Sequence, residues 1–216
     1  MSKQTPLVIW GAGGHAMVVA DIVRLQESYR IIGFLDNVNL QRHGTEFCGA
    51  SILGGDEQLD RLLDEGIDHI LLGFGDCKVR LELTSFLETK GFRLPTVIHP
   101  RAVVAQDVIL GPGTVVAAGA VINPGTWVGK SVIINTAASV DHECMIADAA
   151  HICPGARLAG HIRVGRATQV GVGAIVIERI NVGNESVIGA GTIIVKDVPD
   201  HVVVYGNPPG TAVKQI

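Results

Sequence analysis

From Ile98 to Ile194, every sixth residue is Ile, Leu or Val: Ile98, Val104, Leu110, Val116, Ile122, Val128, Ile134, Val140, Ile146, Ile152, Leu158, Val164, Val170, Val176, Val182, Ile188 and Ile194. All 17 positions comply without an insertion. These residue types make up roughly three in ten of this stretch, so chance compliance is on the order of one in 10⁹. The positions four residues further on, from Ala102 to Val198, carry no charge and are mostly small or β-branched. A period of six means one large and one small inward side chain per short strand. A corner follows, often with Gly or Asn (Gly111, Gly113, Asn123, Gly125, Gly129, Asn135). Three such strands close a triangular coil of ~18 residues, and stacked coils bury the aliphatic ladder. The predicted architecture is a left-handed parallel β-helix, an exception to the right-handed crossover rule. With no insertion in the repeat, chemistry must come from corner residues, flat faces or a neighbouring subunit.

Residues 1–97 follow another rule. Apolar runs at residues 7–10, 30–35 and 69–76, the last with a Gly-containing exit, read as strands, and residues 17–26, 56–65 and 78–90 read as helices. Residues 96–98 are a candidate fourth strand. Strand–helix alternation predicts a small Rossmann-like α/β domain, a parallel sheet with helices on both faces. The two domains are therefore expected at 1–97 and 98–216.

Composition narrows the function classes. Hydrophobic residues are 47% and aromatics 4%, which describes an aliphatic core rather than a disordered chain. A net charge of −4 without a basic stripe argues against a nucleic-acid partner. No apolar run is long enough for a membrane span, and no signal peptide is expected at the N-terminus. Cys48, Cys77, Cys144 and Cys153 have no CxxC spacing, so free thiols in the cytoplasm are expected. The residue before each ladder aliphatic faces outward, and ten of the 16 from Val103 on are apolar (Val103, Ile109, Val115, Val121, Trp127, Ile133, Met145, Ile175, Val187, Ile193). Such a surface predicts burial between subunits, with some of it packed on the N-terminal domain. A three-sided prism that shares its faces most simply forms a cyclic homotrimer.

Two segments carry candidate chemistry. Asp141, His142 and Glu143 share one corner of the repeat, and an imidazole beside carboxylates suits proton transfer near neutral pH. His151, at a face centre in the column of Val115, Ile133, Gln169 and Val187, is expected at an interface cleft. The turn Gly11-Ala12-Gly13-Gly14-His15 follows a strand and opens a helix, so backbone N–H groups can approach an anion there. Asp36 ends the next strand and could accept hydrogen bonds from a nucleotide. The domain is short for NAD, which needs two mononucleotide halves. A metal reading joins His142, His161 and His151 as a three-histidine site, but scattered surface histidines are the simpler account, and no metal is expected. Cys144 occupies a small inward position and reads as core.

Together these features resemble the hexapeptide-repeat acyltransferases, in particular the NeuD/PglD type of sugar acetyltransferase. The resemblance rests on the Gly-Ala-Gly-Gly-His-Ala turn, Phe34-Leu35-Asp36, Gly75-Asp76-Cys77-Lys78-Val79-Arg80, Asn135-Thr136, Asp141-His142-Glu143-Cys144 and Gly206-Asn207-Pro208. It implies a homotrimer with acetyl-CoA between neighbouring β-helices and a UDP-sugar on the N-terminal domain. By position, His142 is similar to the family's general base and Glu143 to its supporting acid. His151, Gly160, Val172 and Ala190 match acetyl-CoA contacts. Gly13, Gly14, His15, Asp36 and Gly75 match nucleotide-sugar contacts, and Asn135 matches an asparagine near the active site. Two positions depart from the pattern. Pro209-Gly210-Thr211 stands where Pro-Ala-Lys is commoner, leaving Lys214 the only nearby cation, and Ala190 stands where some relatives have Gly.

The implied reaction is acetyl transfer from acetyl-CoA to the amine of a UDP-linked 4-amino-4,6-dideoxy sugar in bacterial glycan or protein-glycosylation biosynthesis. His142 would take the amine proton, and a backbone N–H would stabilise the oxyanion, without an acyl-enzyme. O-acetylation of sialic acid or another sugar is the close alternative. A zinc-dependent β-helical lyase and a purely structural β-helix are more distant ones.

Overall fold

The computed structural model describes residues 4–206 and the backbone of residues 212–215. The expectations for residues 207–211 and for the Lys214 side chain fall outside the described residues. In the N-terminal domain, β1 (Thr5–Trp10), β2 (Tyr29–Leu35), β3 (Glu46–Phe47), β4 (Ala50–Gly54) and β5 (Ile70–Leu72) are ordered β3-β4-β2-β1-β5. Strands β4, β2, β1 and β5 run parallel. Leu7, Ile9 and Phe34 face helix α1 (Gly14–Gln26), while Val8, Trp10 and Leu35 pack with α2 (Leu59–Asp64) and α3 (Cys77–Lys90). Alternate residues of each strand thus serve opposite layers, as the pleat requires.

The structure corrects four expectations. The strand at Val97–Ile98 pairs with Val115–Val116 and begins the β-helix instead of completing the N-terminal sheet. An antiparallel hairpin, β3–β4, edges that sheet. Helix α1 begins three residues earlier than periodicity suggests, at Gly14, and residues 56–58 form a 3₁₀ turn ahead of α2.

The β-helix is a stack of two-residue strands, each paired in parallel with the strand one coil away, such as His151 with Ile133 and Gln169. Its first face carries Val97–Ile98, Val115–Val116, Ile133–Ile134, His151–Ile152, Gln169–Val170 and Val187–Ile188. The second runs from Val103–Val104 to Ile193–Ile194, and the third from Ile109–Leu110 to Asn181–Val182. Every corner from residue 113 to residue 191 contains one left-handed residue at the six-residue interval.

The N-terminal domain sits on the first face. Val19 and Val23 of α1 join Val97, Val115 and Ala117 in one core. Arg80, on α3, is 1% exposed. Its guanidinium donates to the carbonyls of Ser131 (3.1 Å) and Ala149 (2.7 Å) on the β-helix and of Gly75 (2.6 Å) on its own domain. The outward column of Val115, Ile133 and His151 is therefore covered within the chain, so His151 does not lie among subunit-facing residues. Val103, Ile109, Trp127, Met145 and Ile175, on the other two faces, remain exposed. Among the described residues, no helix is long and apolar enough to cross a membrane.

Candidate functional site

The sequence-predicted residues fall into three places. The first is a cavity of about 900 Å³ at the carboxyl ends of β1, β2 and β5, where ligands of open α/β sheets collect. Gly11 (φ +128°) is obligatory there, because a Cβ would stand 2.8 Å from the Gly73 carbonyl oxygen. Gly13 caps α1 without a side-chain hydrogen bond, so the first-turn N–H groups at Gly14 and His15 are open to an anion. Asp36 lines the cavity, but its Oδ1 accepts from the N–H groups of Val38 (2.9 Å) and Asn39 (3.2 Å), which shapes the loop. Its Oδ2 faces Arg42 at 3.4 Å.

Sequence reasoning missed Arg42. Its guanidinium donates to the Ala12 carbonyl at 2.8 Å and lies over the Phe47 ring, and it is the only Lys or Arg among the residues lining the cavity. No local motif marks it; only the loop after β2 brings it over the glycine turn.

His15 and Gly75, which line this cavity, meet His151 of the β-helix, itself bonded to Asn135. The His15 and His151 ring centroids are 6.2 Å apart. Asn135 Nδ2 donates to His151 Nε2 at 3.0 Å, leaving the proton on Nδ1. Gly75 lies against the same ring, at 3.6 Å from where its Cβ would be. Neither His15 Nε2 nor His151 Nδ1 has a hydrogen-bond partner. Burial, helped by the Arg80 charge, lowers His15 to about 4 and His151 to about 3, so both are neutral at pH 7.

The second place is the edge between the second and third faces. Here His142 Nδ1 stands 3.1 Å from Glu143 Oε2, and His161 Nε2 approaches the same oxygen at 3.1 Å. The two imidazoles meet edge to face, with centroids 5.1 Å apart. Asp141 does not contact the ring; its Oδ1 accepts from the His142 backbone N–H (2.8 Å) and from Asn123 Nδ2 (2.8 Å), holding the corner in shape. Gly160, one coil on, lies directly under His142: a Cβ there would be 2.5 Å from Cε1 and 2.6 Å from Nε2. Only a glycine lets this ring lie where it does. With Nδ1 occupied by the carboxylate, Nε2 is left to exchange a proton with a substrate. Cys144, beside them, is buried and pushed up to about 11, which removes it as a nucleophile at neutral pH.

Val172 and Ala190 form the third place, exposed on the edge between the first and second faces. Within one chain, the four expected acetyl-CoA contacts are thus divided: His151 under the N-terminal domain, Gly160 under His142, and Val172 and Ala190 on another edge. The three-histidine arrangement does not form, because His151 pairs with Asn135 on the first face while Glu143 joins His142 and His161.

The chain is similar to known proteins over nearly its whole length. The family model described as the PglD N-terminal domain matches residues 6–87. A histidine-to-asparagine mutant of perosamine N-acetyltransferase from Caulobacter crescentus, solved with CoA and GDP-perosamine, is 36% identical with a TM-score of 0.91, covering 98% of this chain and 97% of that one. The acetyltransferase domain of PglB from Neisseria gonorrhoeae, also solved with acetyl coenzyme A, is 36% identical with a TM-score of 0.89 across 99% of this chain and 100% of that one. WeeI from Acinetobacter baumannii, at 24% identity and a TM-score of 0.87, shares the fold. With a glycine-turn cavity on one side, an imidazole–carboxylate pair on the other and likeness over nearly its whole length, the chain belongs to the PglD-type, acetyl-CoA-dependent sugar acetyltransferases of the hexapeptide-repeat superfamily.

Proposed function

We propose that this enzyme transfers the acetyl group of acetyl-CoA to the amine of a nucleotide-linked 4-amino-4,6-dideoxy sugar, with residues 1–97 holding the nucleotide and residues 98–216 the acetyl donor. The observation that carries the reading is His142, held through Nδ1 by Glu143 with Nε2 free. The sugar amine attacks the thioester carbonyl, and His142 Nε2 takes the proton the nitrogen loses. Glu143 balances the resulting imidazolium. As the C–S bond breaks, the imidazolium returns the proton to the departing thiolate, so CoA leaves as a thiol and the sugar as an amide. A backbone N–H of the cleft stabilises the oxyanion. Arg42 and the first turn of α1 meet the diphosphate.

The working form in this proposal is a homotrimer in the cytoplasm. His142 lies on the edge opposite the face that carries the N-terminal domain, so the cavity and the base of one chain point away from each other. A neighbouring copy, seated on the apolar second and third faces, would complete the site by bringing one chain's cavity to another chain's His142. The free, mostly buried cysteines accord with a reducing compartment.

The sequence-level expectation is a UDP-linked sugar. The GDP-perosamine bound to the Caulobacter crescentus enzyme supports a second reading with a guanine nucleotide. Thiol release from acetyl-CoA, followed with UDP- and GDP-linked 4-amino-4,6-dideoxy sugars, free amino sugars and sialic acid, tests both. Turnover confined to one nucleotide-linked amine supports the proposal and fixes the base. Turnover of sialic acid alone replaces it with the O-acetyltransferase reading.

A further inference from the structure

The edge that holds His142 has a second chemical property. One ligand atom from each of His142, Glu143 and His161 lies within 4.8 Å of the other two, and Glu143 Oε2 stands 3.1 Å from both His142 Nδ1 and His161 Nε2. A tetrahedral ion with donors at 2.0–2.2 Å holds them about 3.4 Å apart, so these atoms need only small shifts to become ligands. Two imidazoles and one carboxylate are a donor set that zinc and its first-row neighbours prefer and that magnesium does not. The backbone supplies an independent observation. Glu143 and His161 both occupy left-handed corners, at φ +56° and +58°, where a glycine would be less strained. The equivalent corners on the first–second edge are Gly119, Ala137, Gly155, Gly173 and Gly191. The donors are thus held by backbone positions one coil apart, and the His161 N–H bonds the His142 carbonyl at 2.9 Å, fixing their relative height.

We infer that this edge is a binding site for a divalent transition-metal ion of the zinc class, and that occupancy switches acetyl transfer off. The ion takes the lone pair of His142 Nδ1, so the proton carried there moves to Nε2. The nitrogen that should accept the substrate's proton then has none of its lone pair free. Glu143 is withdrawn from the imidazole at the same time. An open fourth position takes water or a substrate group. Binding depends only on the three side chains, whereas inhibition rests on the base role proposed above for His142.

The test uses the full chain, freed of metal with a chelator. Zinc is titrated by calorimetry, and cobalt(II) by its visible spectrum, into the unaltered protein and into His161→Gly, a change the left-handed corner accommodates. Acetylated sugar is measured by mass spectrometry, with zinc above total coenzyme A so that the thiol product does not strip it. The expected result is about one zinc per chain, cobalt bands of a four- or five-coordinate site, a rate at least about tenfold lower in zinc and restored by chelator, and binding weakened at least about tenfold in His161→Gly. Magnesium at the same concentration leaves the rate unchanged. Absence of zinc binding below the millimolar range, equal zinc affinity in His161→Gly, or full activity with zinc bound overturns the inference. The zinc-free rate of His142→Ala reports separately on the base role, so loss of the metal site and loss of the proposed mechanism are told apart.

Discussion

Two edges of the same prism present the same backbone to solvent and fill it differently. Between the first and second faces, the left-handed corner position is glycine at four of five levels (Gly119, Gly155, Gly173 and Gly191), the residue that this conformation favours, with Ala137 at the fifth. Between the second and third faces the corresponding run is Gly125, Glu143, His161 and Arg179. Each L-residue held in this conformation costs roughly 1–2 kcal/mol relative to glycine. One edge follows the conformational preference of the chain and the other overrides it, at the coil that holds His142. Local strain and candidate chemistry coincide there.

The largest test of this contrast is His142→Ala, for which kcat is expected to fall by about 10²–10⁴-fold with little change in the KM for acetyl-CoA. Near-full activity in this variant would remove the base assignment. Gly160→Ala should follow with a loss of about 10²-fold in kcat/KM, because the added methyl occupies the space of the imidazole. On the glycine edge, Gly119→Ala has no such ring to displace.

A smaller effect separates stability from activity. Glu143→Gly should raise the unfolding free energy by about 1 kcal/mol through relief of the left-handed corner. The same change should lower kcat by up to about 10²-fold through loss of the carboxylate. Gly119→Ala should do the reverse, destabilising by about 1 kcal/mol with kcat unchanged. Denaturant midpoints and initial rates on the two variants decide the matter, and parallel changes in both would dissolve the distinction between the edges.

A separate effect, on stability alone, lies in its pH dependence. Burial, then the Arg80 charge, holds His15 and His151 below their ordinary value of 6.5, and His15 adds to the effect on His151. Above pH 6.5 neither the folded nor the unfolded chain protonates them, and stability is complete. As pH falls from 6.5 toward 4, the unfolded chain takes up protons that the folded one refuses, so stability declines by up to about 1.4 kcal/mol per pH unit for each group. In urea melts between pH 7 and pH 5, His151→Gln should flatten this slope. An unchanged slope would mean the ring is not held neutral by burial.

The β-helix was almost fully legible in the sequence, because each coil repeats the same burial demand at a fixed spacing. His142 and Glu143 stood out as polar residues in an otherwise bland repeat. His161 was open to the same reading, being one coil from Glu143 in the same corner position, once that position is known to be left-handed. Arg42 and Arg80 were not legible as functional residues, since their partners are carbonyls brought together only by tertiary packing. The β3–β4 hairpin escaped because β3 has two residues and no alternating pattern. Val97–Ile98 could not be allotted from sequence, since a buried two-residue strand reads the same in either sheet.

Arg80 sets a boundary on how such a chain can be cut and rejoined. Its cation, stripped of water, has only carbonyl oxygens and the Cys77 sulfur as hydrogen-bond acceptors, and those oxygens come from both halves of the molecule. Separation would leave an unneutralised charge on one fragment and bare acceptors on the other. The two halves are therefore expected to melt as a single cooperative unit, and grafting a foreign N-terminal domain onto this β-helix requires carrying the arginine's whole socket with it.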